Sequence, residues 1–486
     1  TEPKGRGDNP ELGDTLFLEF YSPTDSVWSR IWFRVWNEEN HQDSIFVQNI
    51  IQINEDKYLK KGFRFRFRNI VSLSSNKEPS EVINVDHWHI DYVYLNTGRS
   101  ASDLNPKDIS FIYPMASHLK RYESMPWKHF LLSPTQELAT NVNSYYKNND
   151  NIPRLVDSLY FVFYDNSGNE PNDTLFGGAY DINPNETRQF NPPFTYTFLT
   201  NTTDSASYTV KGRIVTDDFD FKPNNEVSYI QRFYDYYAYD DGTAEASYGF
   251  TGDGAQNAQL AYKFDCIKQD TLKAIQMYFS RSLNNKSQKY FYLTIWDDNN
   301  GVPGKIIYQR EAVQPEYENE LNKFHTYFID DTTLVLNRVF YVGWIQTTSD
   351  MLNLGLDLNR ERNENIFFNL NGFWENSNFK AALMIRPFFG KKLTTLIEPA
   401  IVKLNPKVVV FPNPTRDEIT INISNLPGYQ KINVQIFNLS GEIVHQLIYQ
   451  NQSTIDLSNL NEGIYLLRLS DKSNAINYTQ KIIKLK

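Results

Sequence analysis

A chain of 486 residues is too long for one ordinary core and predicts roughly three or four domains. With 40% hydrophobic and 22% charged residues it is globular and not disordered. A net charge of −10 excludes phosphate-backbone binding, which needs a basic footprint, and no apolar run reaches the ~20 residues of a spanning helix.

The aromatic share is 15%, with 31 Tyr and 33 Phe, and such residues suit pleated, half-buried surfaces. The expected class is therefore all-β. The one cysteine, Cys266, leaves no disulfide within the chain and reads as a small buried hydrophobe. Thr1 stands where a start methionine would, and a strand follows almost at once. This implies a removed leader and a longer parent, with the first sandwich cut at its N-terminus.

In chain order, short alternating apolar segments recur between Asn, Asp, Gly and Pro, as in tandem β-sandwiches. Residues 1–115 read as a jelly-roll-like sandwich containing "SRIWFRVW", "KGFRFRFRNI" and "DHWHIDYVYLN". In the second of these, Phe63, Phe65 and Phe67 share one strand face and Arg64, Arg66 and Arg68 the other. Residues 116–232 form a bridge, with a short helix expected at "MASHLKRY", and then an immunoglobulin-like sandwich. Residues 233–390 read as a second jelly-roll-like sandwich. There "YFYLTIW" and "KIIYQ" should make a long-looped hairpin across Asp297 to Gly301 and the Pro303-Gly304 turn. Residues 391–406 are the linker, and 407–486 a small immunoglobulin-like sandwich near the lower size limit for independent folding.

The last module carries the clearest punctuation. Pro412 and Pro414 fix φ and withhold donors while Asn413 favours a turn, before the strand Ile419, Ile421, Ile423. Asn438 to Gly441 turn a hairpin. Leu457 and Leu460 precede Gly463, a residue that tolerates a positive-φ corner; Tyr465, Leu467 and Leu469 then line one strand face, and the last strand ends in Lys484 and Lys486.

These residues resemble the type A C-terminal sorting domain of the type IX (Por) secretion system of Bacteroidota. The carriers are "PNPT" at Pro412–Asn413–Pro414, the "IFNLSG" hairpin ending at Gly441, the corner of Leu460, Gly463 and Tyr465, and the basic strand with Lys484 and Lys486. The resemblance implies export across the outer membrane by a dedicated translocon with its shuttle and attachment proteins. It also implies removal of the module, followed by anchoring at the cell surface or release. It implies no activity for the preceding residues, since the cargo of this system is diverse. The body is also similar to β-sandwich and jelly-roll modules of exported Bacteroidota surface proteins, in which "DHWHID" is structural.

The body offers weaker signals. Asp-Ser/Thr-apolar triplets at Thr15, Ser26, Ser44, Ser158, Thr174, Ser205 and Thr271 resemble the O-glycosylation acceptor motif of exported Bacteroidota proteins, and Asp-Ser/Thr also commonly precedes strands. His87, His89 and Asp91 alternate, so one strand face could present them to zinc, although a polar strand face explains the spacing equally well. Asp240, Asp241, Asp297 and Asp298 lie in oxygen-rich loops and are candidate ligands for a structural calcium. Trp28, Trp32, Trp36 and Trp374 are candidate sugar platforms, and Arg6-Gly7-Asp8 reads as coincidence. No nucleophile elbow, zinc-protease helix or phosphate loop occurs.

The expectation is a non-catalytic, cell-surface or secreted type IX cargo without cofactor. Its body is an adhesive or structural module for surface glycans or other surface proteins. The alternative is the carbohydrate-binding or accessory part of an exported hydrolase whose catalytic domain lies upstream.

Overall fold

A computed structural model describes residues 10–36, 46–72, 86–167, 171–198, 204–217, 220–331, 333–390, 407–424, 432–438, 442–449, 453–471 and 477–486. The architecture is all-β, built of antiparallel sheets, and the chain divides into two compact units, Thr1–Lys392 and Leu393–Lys486.

The first sheet of the larger unit places Thr15–Ser22 between Val27–Val35 and Arg64–Ile70. The expected alternation holds. Leu18 opposes Phe67 and Phe20 opposes Phe65, while on the other face Glu19 opposes Arg66. Leu18 and Phe20 bury one face with Tyr58, Phe63 and Trp32. The other face is covered by arginines. Arg66 donates to Glu19 at 2.7 Å, and Arg68 pairs with the same carboxylate at 3.0 Å. Arg64 lies over Tyr21 and Arg66 over Trp28, at 4.1 and 4.2 Å from the ring centroids. Guanidinium planes thus shield rings that would otherwise be wet.

"DHWHIDYVYLN", expected as a strand, forms no extended ladder among the described residues. Tyr92 takes a φ of 50°, in the left-handed region, which breaks the two-residue alternation.

Beyond this sheet, Glu226–Phe233, Ala206–Thr216, Arg154–Asp165 and Pro171–Ile182 form a four-stranded sheet in that order. A six-stranded sheet runs Val302–Val313, Phe291–Asn299, Val339–Gln346, Gln259–Asp265, Ile366–Asn369, Glu375–Asn376. Contacts cross residues 115 and 232 in the larger unit. Ile109–Phe111 pairs with Ser144–Asn148, and one buried core runs from Met115 through Trp127, Tyr237 and Trp344 to Phe389.

Two local expectations are corrected. "MASHLKRY" is not helical; the helical turns are Trp127–Phe130 and Pro134–Glu137. Its backbone is held from outside, the His118 N–H donating to Gln231 Oε1 at 2.8 Å and the Lys120 N–H to the Glu137 carbonyl at 2.8 Å. A helix here would have needed the Lys120 N–H internally. The hairpin after Trp296 is tight, not long-looped: Asn299 pairs with Val302, leaving Asn300 and Gly301 as a two-residue turn. Their φ values of 58° and 93° suit a type I′ turn, whose twist matches that of the strands. Pro303 therefore lies within a strand.

In the smaller unit, Lys407–Phe411, Glu418–Ser424 and Ser453–Asp456 make one sheet. Ile443–Ile448, Ile432–Phe437, Gly463–Asp471 and Asn477–Lys484 make the other. Ile419, Ile421, Val434, Ile436, Leu467, Leu469 and Ile482 form its core, all fully buried. Each such side chain contributes about 1.5–3 kcal/mol of burial.

Candidate functional site

The terminal unit builds its punctuation into one latch. Pro412 and Pro414 have no N–H, so Asn413 and Thr415 do the bonding. The Asn413 side-chain amide donates to the Lys481 carbonyl at 2.7 Å and accepts the Ile483 N–H at 2.9 Å. The Thr415 N–H donates to Ile483 O at 2.9 Å, and the Leu485 N–H donates to Thr415 O at 2.7 Å. Asn477–Lys484 is the last strand of its sheet, paired among the described residues otherwise with Gly463–Asp471. An asparagine side chain and a threonine backbone thus occupy the bonding groups of an edge that would invite another strand.

Beside the latch, Leu457 is fully buried, its N–H donating to Asp417 O at 2.6 Å, and Leu460 packs against the same core. The buried Tyr465 donates its hydroxyl to the Asn461 carbonyl at 2.9 Å, which ties the corner to its own strand. Gly463 has a positive φ of 153°, a conformation L side chains rarely adopt, so the glycine expected at this corner forms it and the tyrosine ties it down.

Lys484 is not part of an exposed basic tip. It falls on the same strand face as Ile482, is 8% exposed, and donates to Leu485 O at 3.1 Å, leaving Lys486 exposed. Gly441 lies outside the described residues. Asn438 holds its end of that hairpin by accepting the Glu442 N–H at 3.0 Å.

A two-sheet module with a latched last strand and a tyrosine-tied corner defines a small terminal β-sandwich of immunoglobulin-like size. Its sequence identifies it further: residues 409–485 match the secretion system C-terminal sorting domain family, so this module is a type IX (Por) sorting domain. The module addresses the chain across the outer membrane, to the cell surface or the extracellular space. The comparison with curated proteins returned no match.

Among solved structures, the chain is similar to a biofilm associated protein's BSP domain, at 9% identity, covering 81% of this chain and 85% of that one, with a TM-score of 0.19. It is similar to dimeric latent PorU from Porphyromonas gingivalis at 12% identity, covering 78% of this chain and 34% of that one, with a TM-score of 0.16. A tetra-tandem repeat from the extending region of a large adhesion protein gives 9% identity, coverage of 97% and 91%, and a TM-score of 0.15. At such TM-scores no property passes from these structures to this chain.

In the body, the four aspartates proposed for calcium are engaged in protein contacts. Asp240 pairs with Arg386 at 2.5 Å and accepts the Gly242 N–H at 3.0 Å. Asp241 accepts the Thr243 hydroxyl at 2.6 Å. Asp297 accepts the Lys305 N–H, and Asp298 accepts the Gly301 N–H and the Tyr341 hydroxyl. Beside Asp241 lies Asp357, fully buried, whose carboxylate accepts the Asp241 and Asn359 N–H groups at 2.7 Å each. Burial, and then the Asp241 charge, push the Asp357 pKa up to about 8.

His87 and His89 stack edge-on with ring centroids 6.1 Å apart, while Asp91 accepts the Tyr92 N–H at 2.7 Å. Cys266 is 1% exposed, and burial pushes its thiol pKa up. The tryptophans do not make one platform. Trp28 stacks under Arg66, Trp32 packs on the first core, Trp36 is buried, and Trp374 meets Trp296 edge-on.

The triplet hydroxyls differ in access. Ser26 and Ser205 are exposed, and Ser158, Thr174 and Thr271 are half-buried. Thr15 is 8% exposed with its hydroxyl donated to Gly13 O at 2.9 Å, so the folded chain does not present it. Ser44 and Arg6-Gly7-Asp8 lie outside the described residues.

One cluster escaped the sequence reading. Glu11, Asp14 and Asp86 each place a carboxylate oxygen within 4.8 Å of the others, with Asp14 4% and Asp86 2% exposed. No motif spacing could reveal it, because Asp86 is 72 positions from Asp14 (86 − 14) and joins it only in space.

Proposed function

We propose that this chain is a type IX cargo without catalysis of its own, in which the all-β body acts at the cell surface as an adhesive or structural interaction module. The observation that carries the reading is the sorting domain at 409–485, which addresses the body to a place where binding to surfaces is useful. Its partners are the outer-membrane translocon and the shuttle and attachment proteins, reached through the terminal module, and surface glycans or other surface proteins, reached through the body.

Several charged groups of the body are engaged in structural pairs, which supports a non-catalytic role. Arg360 clamps Glu123 at 2.6 Å, Arg121 bridges Glu137 and Asp265, and the buried His129 lies between Tyr237 and Asp270. A bacterium of the Bacteroidota as the source, and a glycoprotein carrying sugar at Ser26 and Ser205, belong to the same proposal.

The test is a glycan array probed with residues 1–392, combined with pull-down of outer-membrane proteins from cells expressing the full chain. Saturable binding to a glycan or a surface protein supports the reading. Turnover of a bound glycan by the same protein would overturn it.

A further inference from the structure

The strongest unexplained chemistry in the body is the buried acid cluster at the end of its first sheet. Glu11 and Asp14 form a self-closed turn ahead of the strand Thr15–Ser22. The Asp14 N–H donates to Glu11 O at 3.0 Å, and the Glu11 N–H donates to Asp14 Oδ2 at 2.7 Å. The Trp36 N–H donates to Asp14 O at 2.8 Å, bringing in the end of the second strand. Ser72, just past the third strand, donates its hydroxyl to Asp14 at 3.1 Å. Asp86 completes the group from a backbone in the left-handed region, φ 60°, a conformation few non-glycine residues adopt without compensation.

Both Asp86 oxygens are buried and have no hydrogen-bond donor among the described residues. A carboxylate removed from water normally finds donors or a cation, since an isolated buried charge is costly. Here its near neighbours are two more carboxylates, which when ionised have no hydrogen to offer. The ligand set is all oxygen and formally −3, the chemistry of a hard cation. Calcium takes oxygens at about 2.3–2.6 Å, so two of its ligands stand up to roughly 5 Å apart, a span that accommodates the 4.8 Å limit of this cluster.

We infer that Glu11, Asp14 and Asp86 form a calcium site that staples the start of the first strand, the ends of the second and third, and the chain at Asp86 into one corner of the first sheet. The site goes beyond the surface-interaction reading and does not depend on it.

The experiment uses the full chain, freed of metal with EGTA and titrated with calcium chloride at pH 8 by calorimetry and thermal unfolding. Terbium luminescence, sensitised by Trp36, whose N–H bonds the Asp14 carbonyl, gives a second readout. Binding in the micromolar to millimolar range is expected, with a rise in unfolding temperature. Asp86→Asn and Asp14→Asn should each weaken binding tenfold or more, an effect on the scale of losing a metal-site group. Asp298→Asn, away from the cluster, should leave it unchanged.

Two results would overturn the inference: no calcium binding at millimolar ion, or unchanged affinity in the cluster variants. If Asp86→Asn does not fold, Ser72→Ala replaces it. That variant loosens the hold on Asp14 and should lower terbium affinity with the ligands intact.

Discussion

At the scale of single residues, Asn413 has a role that composition cannot suggest. Its side chain imitates one residue of a neighbouring strand, giving and taking one hydrogen bond along Lys481–Ile483. Asn413→Ala should release both groups, cost about 1–3 kcal/mol of module stability, and speed amide exchange at Ile483. Unchanged exchange there would contradict the latch.

Asp357 gives a second residue-scale prediction. Its folded pKa, about 8, lies above the ordinary 3.8, so its contribution is full below pH 4 and is lost as pH rises through 8. Relative to Asp357→Asn, the wild type should lose roughly 1.4 kcal/mol per pH unit between about pH 5 and pH 7. Urea unfolding of both proteins across that range, with calcium saturating, measures it.

At the scale of elements, alternation was the most legible signal. Phe63, Phe65 and Phe67 opposite Arg64, Arg66 and Arg68, and Ile419, Ile421 and Ile423 in the module, take the faces their spacing dictates. Turn chemistry was present but misread: Asn300-Gly301 is itself the tight turn, and the surrounding aspartates, Pro303 and Gly304 made the loop look long. The stretch around His118 could not be read locally, because its backbone partners come from Gln231 and Glu137, far along the chain.

The candidate site divides in the same way. The sorting module was visible because its motifs are contiguous, whereas Asp86 meets Glu11 and Asp14 only after folding. Within the module, Leu467→Ala empties a fully buried position and should cost about 2–5 kcal/mol. Because the module has its own core, scanning calorimetry should show this loss in its own transition, with that of residues 1–392 unmoved.

At the scale of the whole molecule, a continuous aromatic core in the larger unit and a separate aliphatic core in the smaller one match a division of labour between body and address. Secretion of a chain ending after Asn405, compared with the full chain and with an unrelated passenger fused to residues 407–486, tests that division most directly in a type IX-competent cell. Surface protease accessibility and assay of the culture medium should find the full chain and the passenger outside, with the shortened chain held in the periplasm. A shortened chain that still reaches the outside, or a passenger that stays within, would contradict the account.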